Sequence, residues 1–85
     1  MYCLGILESG NFAFHLCSIL ERKGIITEVV AVPCAIARGG CGYCLKFPEE
    51  LLEVVNSEGM KNGLILREVY RVIPGITRNR YERIF

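Results

Sequence analysis

The stretch IITEVVAVP at residues 25–33 is the clearest strand in the chain and orders the elements around it. β-branched residues dominate it, and the proline at its end cannot donate a ladder hydrogen bond, so the strand is predicted to stop there. Upstream, a short apolar run at residues 2–8 predicts another strand. Between the two, Phe12, Leu16 and Ile19 recur at helical spacing, which predicts a helix near residues 11–23.

Three further elements are predicted downstream of this strand. Residues 42–47 form a third strand, and residues 48–58 form a second helix because Pro48 suits a first helical turn and acids follow it. Gly59 is predicted to end that helix, and residues 64–73 make a fourth strand. The order βαββαβ predicts an α+β, ferredoxin-like fold, in which a four-stranded antiparallel sheet carries both helices on one face.

The length of 85 residues allows one domain. We expect that domain to cover residues 1–73, and residues 74–85 to be a basic C-terminal tail that carries Arg78, Arg80 and Arg83. The apolar fraction of 52% exceeds what a lone small domain needs, so we expect a partner or a second copy, the simplest case being a homodimer.

Composition also excludes several classes of protein. The longest apolar run, at residues 29–37, is far shorter than the roughly 20 residues that span a bilayer, so no membrane association is expected. The first residues lack the pattern of a signal peptide, and we expect a cytoplasmic protein with reduced thiols. The net charge of +1 and a short tail that contains Glu82 argue against nucleic-acid binding.

Cys41 is the candidate for chemistry among five cysteines. Gly39, Gly40 and Gly42 surround it, which leaves its sulfur open to approach, and Arg38 adds positive charge that favours a thiolate. The competing interpretation is a glycine-rich hairpin loop whose cysteine happens to be exposed. The residues alone do not favour a reactive thiol over an exposed loop cysteine.

The spacing of Cys41 and Cys44 also matches a C-x-x-C redox pair. In an extended chain, however, three residues span roughly 10 Å, which exceeds the ~7 Å Cα separation that a disulfide can bridge. We therefore expect Cys41 to be exposed and Cys44 to pack inward.

The remaining candidates are treated as structural. Cys34 would add a third thiolate to Cys41 and Cys44, but a structural zinc site normally has four ligands, so no metal and no cofactor is expected. Cys3 and Cys17 are predicted to lie in the core, and His15 to face solvent.

The segment GCGYCLKFPEE at residues 40–50, placed after a strand that ends in proline, resembles the putative selenium/sulfur carrier protein-like family of small bacterial domains. The likeness covers roughly residues 2–73. Cys41 and Gly42 match the Cys-Gly pair of that family, and Lys46 stands where a basic residue is usual. Cys44 falls where the family has a small apolar residue, which favours a packing role.

The resemblance implies a sulfur or selenium carrier, in which Cys41 bears a persulfide or perselenide between a donor and an acceptor protein. Such a protein is a carrier more than a turnover enzyme. The alternative, from a different class, is a non-catalytic regulatory or scaffolding module of ferredoxin-like fold that binds a small ligand or a protein partner. The reactivity of Cys41 discriminates between the two.

Overall fold

The computed structural model describes residues 1–37 and 42–85. Its elements, in chain order, are β1 (Tyr2–Ile6), α1 (Gly10–Arg22), β2 (Glu28–Ala31), β3 (Tyr43–Pro48), a 3₁₀ turn (Glu49–Leu51), α2 (Leu52–Lys61), β4 (Glu68–Ile73) and β5 (Arg80–Arg83). Both predicted helices and all four predicted strands are present, although the first, second and fourth strands are shorter than expected. The second helix begins at Leu52, and Pro48, predicted to start it, is the last residue of β3.

The strands form one antiparallel sheet in the order β2-β3-β1-β4-β5. The prediction of four strands is therefore wrong, because residues 80–83 of the expected tail pair with β4. Tyr81 lies opposite Val72, and the Arg71 guanidinium forms an ion pair with Glu82. An edge strand can carry this many charged side chains because much of its surface faces solvent.

The core lies between the two helices and one face of the sheet. Leu45 and Phe47 of β3 point to this face, and Leu16 and Leu20 of α1 and Val55 of α2 pack against it with no exposed surface. Because side chains alternate along a strand, Cys44 and Lys46 point to the other face.

Gly59 does not end α2, as the sequence suggested, since that helix continues to Lys61 and Gly63 follows it with a φ of +71°. Gly59 has a different role. A Cβ built on it would lie 2.4 Å from the carbonyl oxygen of Leu64, so only glycine lets the chain return this closely over the helix. The Leu64 N–H donates to the Gly59 carbonyl at 2.7 Å, which fixes this turn.

Glu58 links the two helices. Its carboxylate is almost fully buried and accepts a hydrogen bond of 2.8 Å from Lys23 at the end of α1, with Lys61 at 3.6 Å. The Lys23 hydrogen bond holds the pKa of Glu58 below its usual value. Among the described residues, none of the helices has the length and apolar character that crossing a membrane requires.

Candidate functional site

Four of the predicted site residues, Arg38, Gly39, Gly40 and Cys41, lie outside the described residues. The chain on either side of them is described. It consists of the turn that follows β2 and of Gly42, which leads into β3. The geometry of the candidate site is therefore built from these flanks and from the elements next to them.

Backbone hydrogen bonds fix both flanks. The Val32 N–H donates to the Gly42 carbonyl at 2.8 Å and extends the ladder of β2 and β3 by one pair. The Ile36 and Ala37 N–H groups both donate to the Pro33 carbonyl, at 3.1 and 3.0 Å, which closes a turn directly after the strand. The β2–β3 connection thus leaves and re-enters the sheet at defined positions.

A cleft of about 420 Å³ lies beside this connection. Segments far apart in sequence form it: the end of β1, the start of α1, the turn after β2, the start of β3 and the start of β4. The lining residues are Ile6, Leu7, Glu8, Ser9, Gly10, Val32, Ile36, Ala37, Gly42, Tyr43 and Glu68. Ala37 and Gly42, the two residues that border the segment 38–41, both belong to this lining.

The start of α1 forms one wall of the cleft. Ser9 has an extended backbone, and its side-chain oxygen accepts from the Phe12 N–H at 3.4 Å, so it caps the helix. A second wall carries Glu68, whose carboxylate accepts a 2.6 Å hydrogen bond from the Tyr70 hydroxyl and lies 3.9 Å from Arg83. The lining of the cleft therefore combines apolar side chains with a few polar groups.

Gly42 does not have a positive φ, so its backbone conformation does not require glycine. Among residues 1–37 and 42–85, a Cβ built on it would meet only a methyl carbon of Val32, at 4.0 Å. Nothing in the described part of the chain therefore crowds this residue. The glycine keeps this part of the cleft wall free of a side chain.

Cys44 is fully buried, which confirms that it packs inward. It lies opposite Val30 on the face of the sheet that the helices do not cover, where Leu4 and Tyr70 are also buried. Desolvation raises the pKa of its thiol to about 11. A thiol in this state is almost entirely protonated at neutral pH, and a protonated thiol is a poor nucleophile.

The other described cysteines differ in setting. Cys3 is buried in the core, and desolvation raises the pKa of its thiol. Cys17 is half-buried against the core and exchanges hydrogen bonds with Thr27, whose hydroxyl donates to the sulfur at 3.4 Å. Cys34 is exposed in the turn after β2.

His15 is exposed on α1, as expected. No group of three or more potential metal ligands occurs in residues 1–37 and 42–85.

An aromatic pair beside the cleft did not emerge from the sequence. The rings of Phe14 and Tyr43 lie 5.7 Å apart between centroids at a tilt of 58°, and each side chain is about half exposed. Phe14 lies outside the apolar stripe of α1, and an aromatic residue on a polar helix face is the signal that could have revealed the pair. Tyr43 also lines the cleft, so the pair extends the cleft onto the surface.

Comparisons with known proteins give one match. Residues 2–71 match the family described as putative Se/S carrier protein-like. No curated protein and no solved structure shows a significant match to the chain. The family match spans most of the 85 residues and includes every element from β1 into β4. The chain therefore belongs to the putative Se/S carrier protein-like family.

Proposed function

We propose that the protein carries sulfur or selenium as a persulfide or perselenide on Cys41. The observation that carries this proposal is the position of Ala37 and Gly42 on the wall of the cleft. Consecutive Cα atoms are about 3.8 Å apart, so chain connectivity keeps Cys41 close to Gly42. The family match supports the choice of sulfur or selenium as cargo.

The chemistry needs one nucleophilic thiolate and no external oxidant. The Cys41 thiolate attacks the outer sulfur of a donor persulfide, the new S–S bond forms, and the donor sulfur leaves as a thiolate. In the second step an acceptor nucleophile attacks the outer sulfur, and the Cys41 thiolate is released. The same sequence applies to a perselenide.

The neighbouring residues have distinct parts in this proposal. Gly39, Gly40 and Gly42 leave room for donor and acceptor to approach, and Arg38 favours the thiolate form. Cys44 has a packing role, which its burial and raised pKa support. Cys41 would then act without a resolving partner from the same motif.

The proposal extends to partners, location and architecture. A donor and an acceptor protein must each reach the thiol, and a cytoplasmic location would keep it reduced. The carrier is loaded and unloaded and does not convert a substrate on its own. We also propose that residues 1–73 form a ferredoxin-like unit from the neighbours β2-β3-β1-β4, to which residues 74–85 add β5.

Sulfur transfer tests the proposal directly. The reduced protein is treated with glutathione persulfide, separated from excess reagent and exposed to cyanide, which removes an outer sulfur as thiocyanate. We expect one thiocyanate per chain from the wild type and from Cys34→Ser, the matched control, since Cys34 is the exposed cysteine of the same connection. Cys41→Ser should release none. Equal release from Cys41→Ser would refute the assignment.

A second candidate function is a non-catalytic module that binds a small ligand. The cleft favours it, because about 420 Å³ falls within the range of small-molecule sites and the lining combines apolar side chains with a few polar groups. In that case Cys41→Ser would leave ligand binding unchanged, whereas filling the cleft by Ala37→Phe would abolish it.

A further inference from the structure

The outer edge of β2 presents backbone hydrogen-bonding groups that point away from β3. In the part of the chain that the structure describes, β2 is an edge strand with β3 as its sole neighbour. The bond from the Val32 N–H to the Gly42 carbonyl shows which residues of this strand direct their backbone groups toward β3. Because hydrogen-bonded pairs alternate along antiparallel strands, the N–H and C=O groups of Val29 and Ala31 point away from β3.

The two edges of the sheet differ in how they are protected. β5, at the opposite edge, presents Arg80, Glu82 and Arg83, and charged side chains discourage the addition of another strand. β2 has the sequence EVVA and carries one charge, at Glu28, with no lysine and no proline within it. Of the two edges of the described sheet, β2 is therefore the less protected against pairing with another strand.

We propose that β2 pairs with β2 of a second copy of this chain, antiparallel about a twofold axis at Val30. In this register Val29 of one protomer lies opposite Ala31 of its partner and the reverse, so the outward groups of both residues form four hydrogen bonds. Glu28 lies opposite Val32, so no carboxylates face each other. The result is a continuous ten-stranded sheet.

Other symmetric registers are less favourable. A shift that places the axis at Glu28 sets two carboxylates directly opposite each other, which is destabilising. A shift to Ala31 pairs Val29 with Pro33, which has no N–H to donate. A shift to Val29 uses the Thr27 carbonyl, which already accepts a contact from the Cys17 sulfur at 3.6 Å. The register about Val30 is the one that uses both outward residues of β2.

Exposed apolar side chains next to β2 extend the interface. A four-residue ladder buries less than the roughly 800 Å² per partner of a standard interface. Ile26, just before the strand, is 70% exposed. The half-exposed aromatic pair of Phe14 and Tyr43 lies beside the edge, because Tyr43 is opposite Ala31 in the ladder. These side chains supply further apolar area around the twofold axis.

Disulfide trapping tests the register. The background carries Cys34→Ser, Cys41→Ser and Cys44→Ala, the last because Cys44 lies opposite position 30 within the same chain. In this background Val30→Cys places two thiols opposite each other across the axis, at a Cα separation of about 4.5 Å, which a disulfide can bridge. Oxidised glutathione should convert this variant to a covalent dimer. Val29→Cys is the matched control on the same strand, since its copies are displaced by two residues and should not cross-link. Equal cross-linking of both variants would overturn the register.

The native assembly provides an independent test. Light scattering of the wild type should give twice the chain mass of 9.6 kDa at high concentration and fall toward that mass on dilution. Ala31→Pro removes one outward N–H and no hydrogen bond to β3, so it should remain folded by circular dichroism and lose the dimer. A wild type that stays monomeric at every concentration, or a folded Ala31→Pro that still dimerises, would overturn the proposal. Neither result bears on the carrier chemistry.

Discussion

Cys44 should react with an alkylating agent far more slowly in the folded protein than in the unfolded chain. The perturbation is a pulse of iodoacetamide at pH 7.5, applied to the folded protein and to the same protein unfolded in guanidinium. Only the thiolate reacts, so the rate follows the ionised fraction and the accessibility of the sulfur. Cys44 is unfavourable in both respects, since its side chain is buried and its thiol has a pKa of about 11.

The size of the effect follows from that pKa. At pH 7.5 a thiol of pKa about 11 is about 0.03% ionised, whereas an ordinary cysteine of pKa about 8.5 is about 9% ionised. Ionisation alone therefore slows Cys44 about 300-fold in the folded state relative to the unfolded state. Burial slows it further. The native rate should also rise about tenfold per pH unit from pH 8 to 10, while the rate of the unfolded chain levels off near pH 9.

Peptide mass spectrometry after the pulse measures each cysteine separately. Cys34, which is exposed, serves as the internal reference for an accessible thiol. If native Cys44 reacts within tenfold of its rate in the unfolded chain, under conditions where the protein stays folded, then the buried position on β3 is wrong. A second thiol would then be available beside Cys41, and the case against a redox pair would fail.

Three further outcomes are expected. Cys44→Ser should lower the free energy of unfolding in urea by about 1–3 kcal/mol, because it buries a hydroxyl with no assured partner, and should leave sulfur loading intact. Gly59→Ala should destabilise α2 by about 1–3 kcal/mol through overpacking despite the better helix propensity of alanine, whereas Ser57→Ala, exposed on the same helix, should be neutral or slightly stabilising. The lowered pKa of Glu58 stabilises the fold above the ordinary carboxyl pKa, so the melting temperature should fall as pH drops below about 4.5, and Lys23→Gln should weaken that acid dependence.

Local patterns predicted most of the fold. The β-branched run before Pro33 and the helical spacing around Leu16 each describe an element that local chemistry determines. Pro48 was assigned wrongly to the first turn of a helix, because its fixed φ also suits the extended end of β3, and α2 begins only at Leu52. The fifth strand was missed because residues 80–83 carry three charges, and an edge strand exposed to solvent has no apolar alternation to reveal it. The role of Gly59 was missed because it depends on a carbonyl five residues further along that only the folded chain brings near.

The candidate site was likewise predicted from the sequence only in part. The burial of Cys44 was predicted, but alternation along β3 points it away from Leu45 and Phe47, so it is buried on the face of the sheet that the helices do not cover. The cleft could not be predicted, because Ile6, Ala37 and Glu68 meet through strand pairing across the whole chain. The aromatic pair of Phe14 and Tyr43 likewise joins a helix to a strand that follows it by more than twenty residues.

Mass spectrometry of the protein as isolated, with free thiols blocked and before any reductant is added, shows whether Cys41 carries sulfur or selenium. If Cys41 is the carrier thiol, a fraction of chains should be heavier by one sulfur or selenium atom, with the added mass on the peptide that contains Cys41 and lost on treatment with a reductant. Added mass on Cys34 or Cys44 instead, or an unmodified Cys41 even after exposure to a persulfide donor, would contradict it.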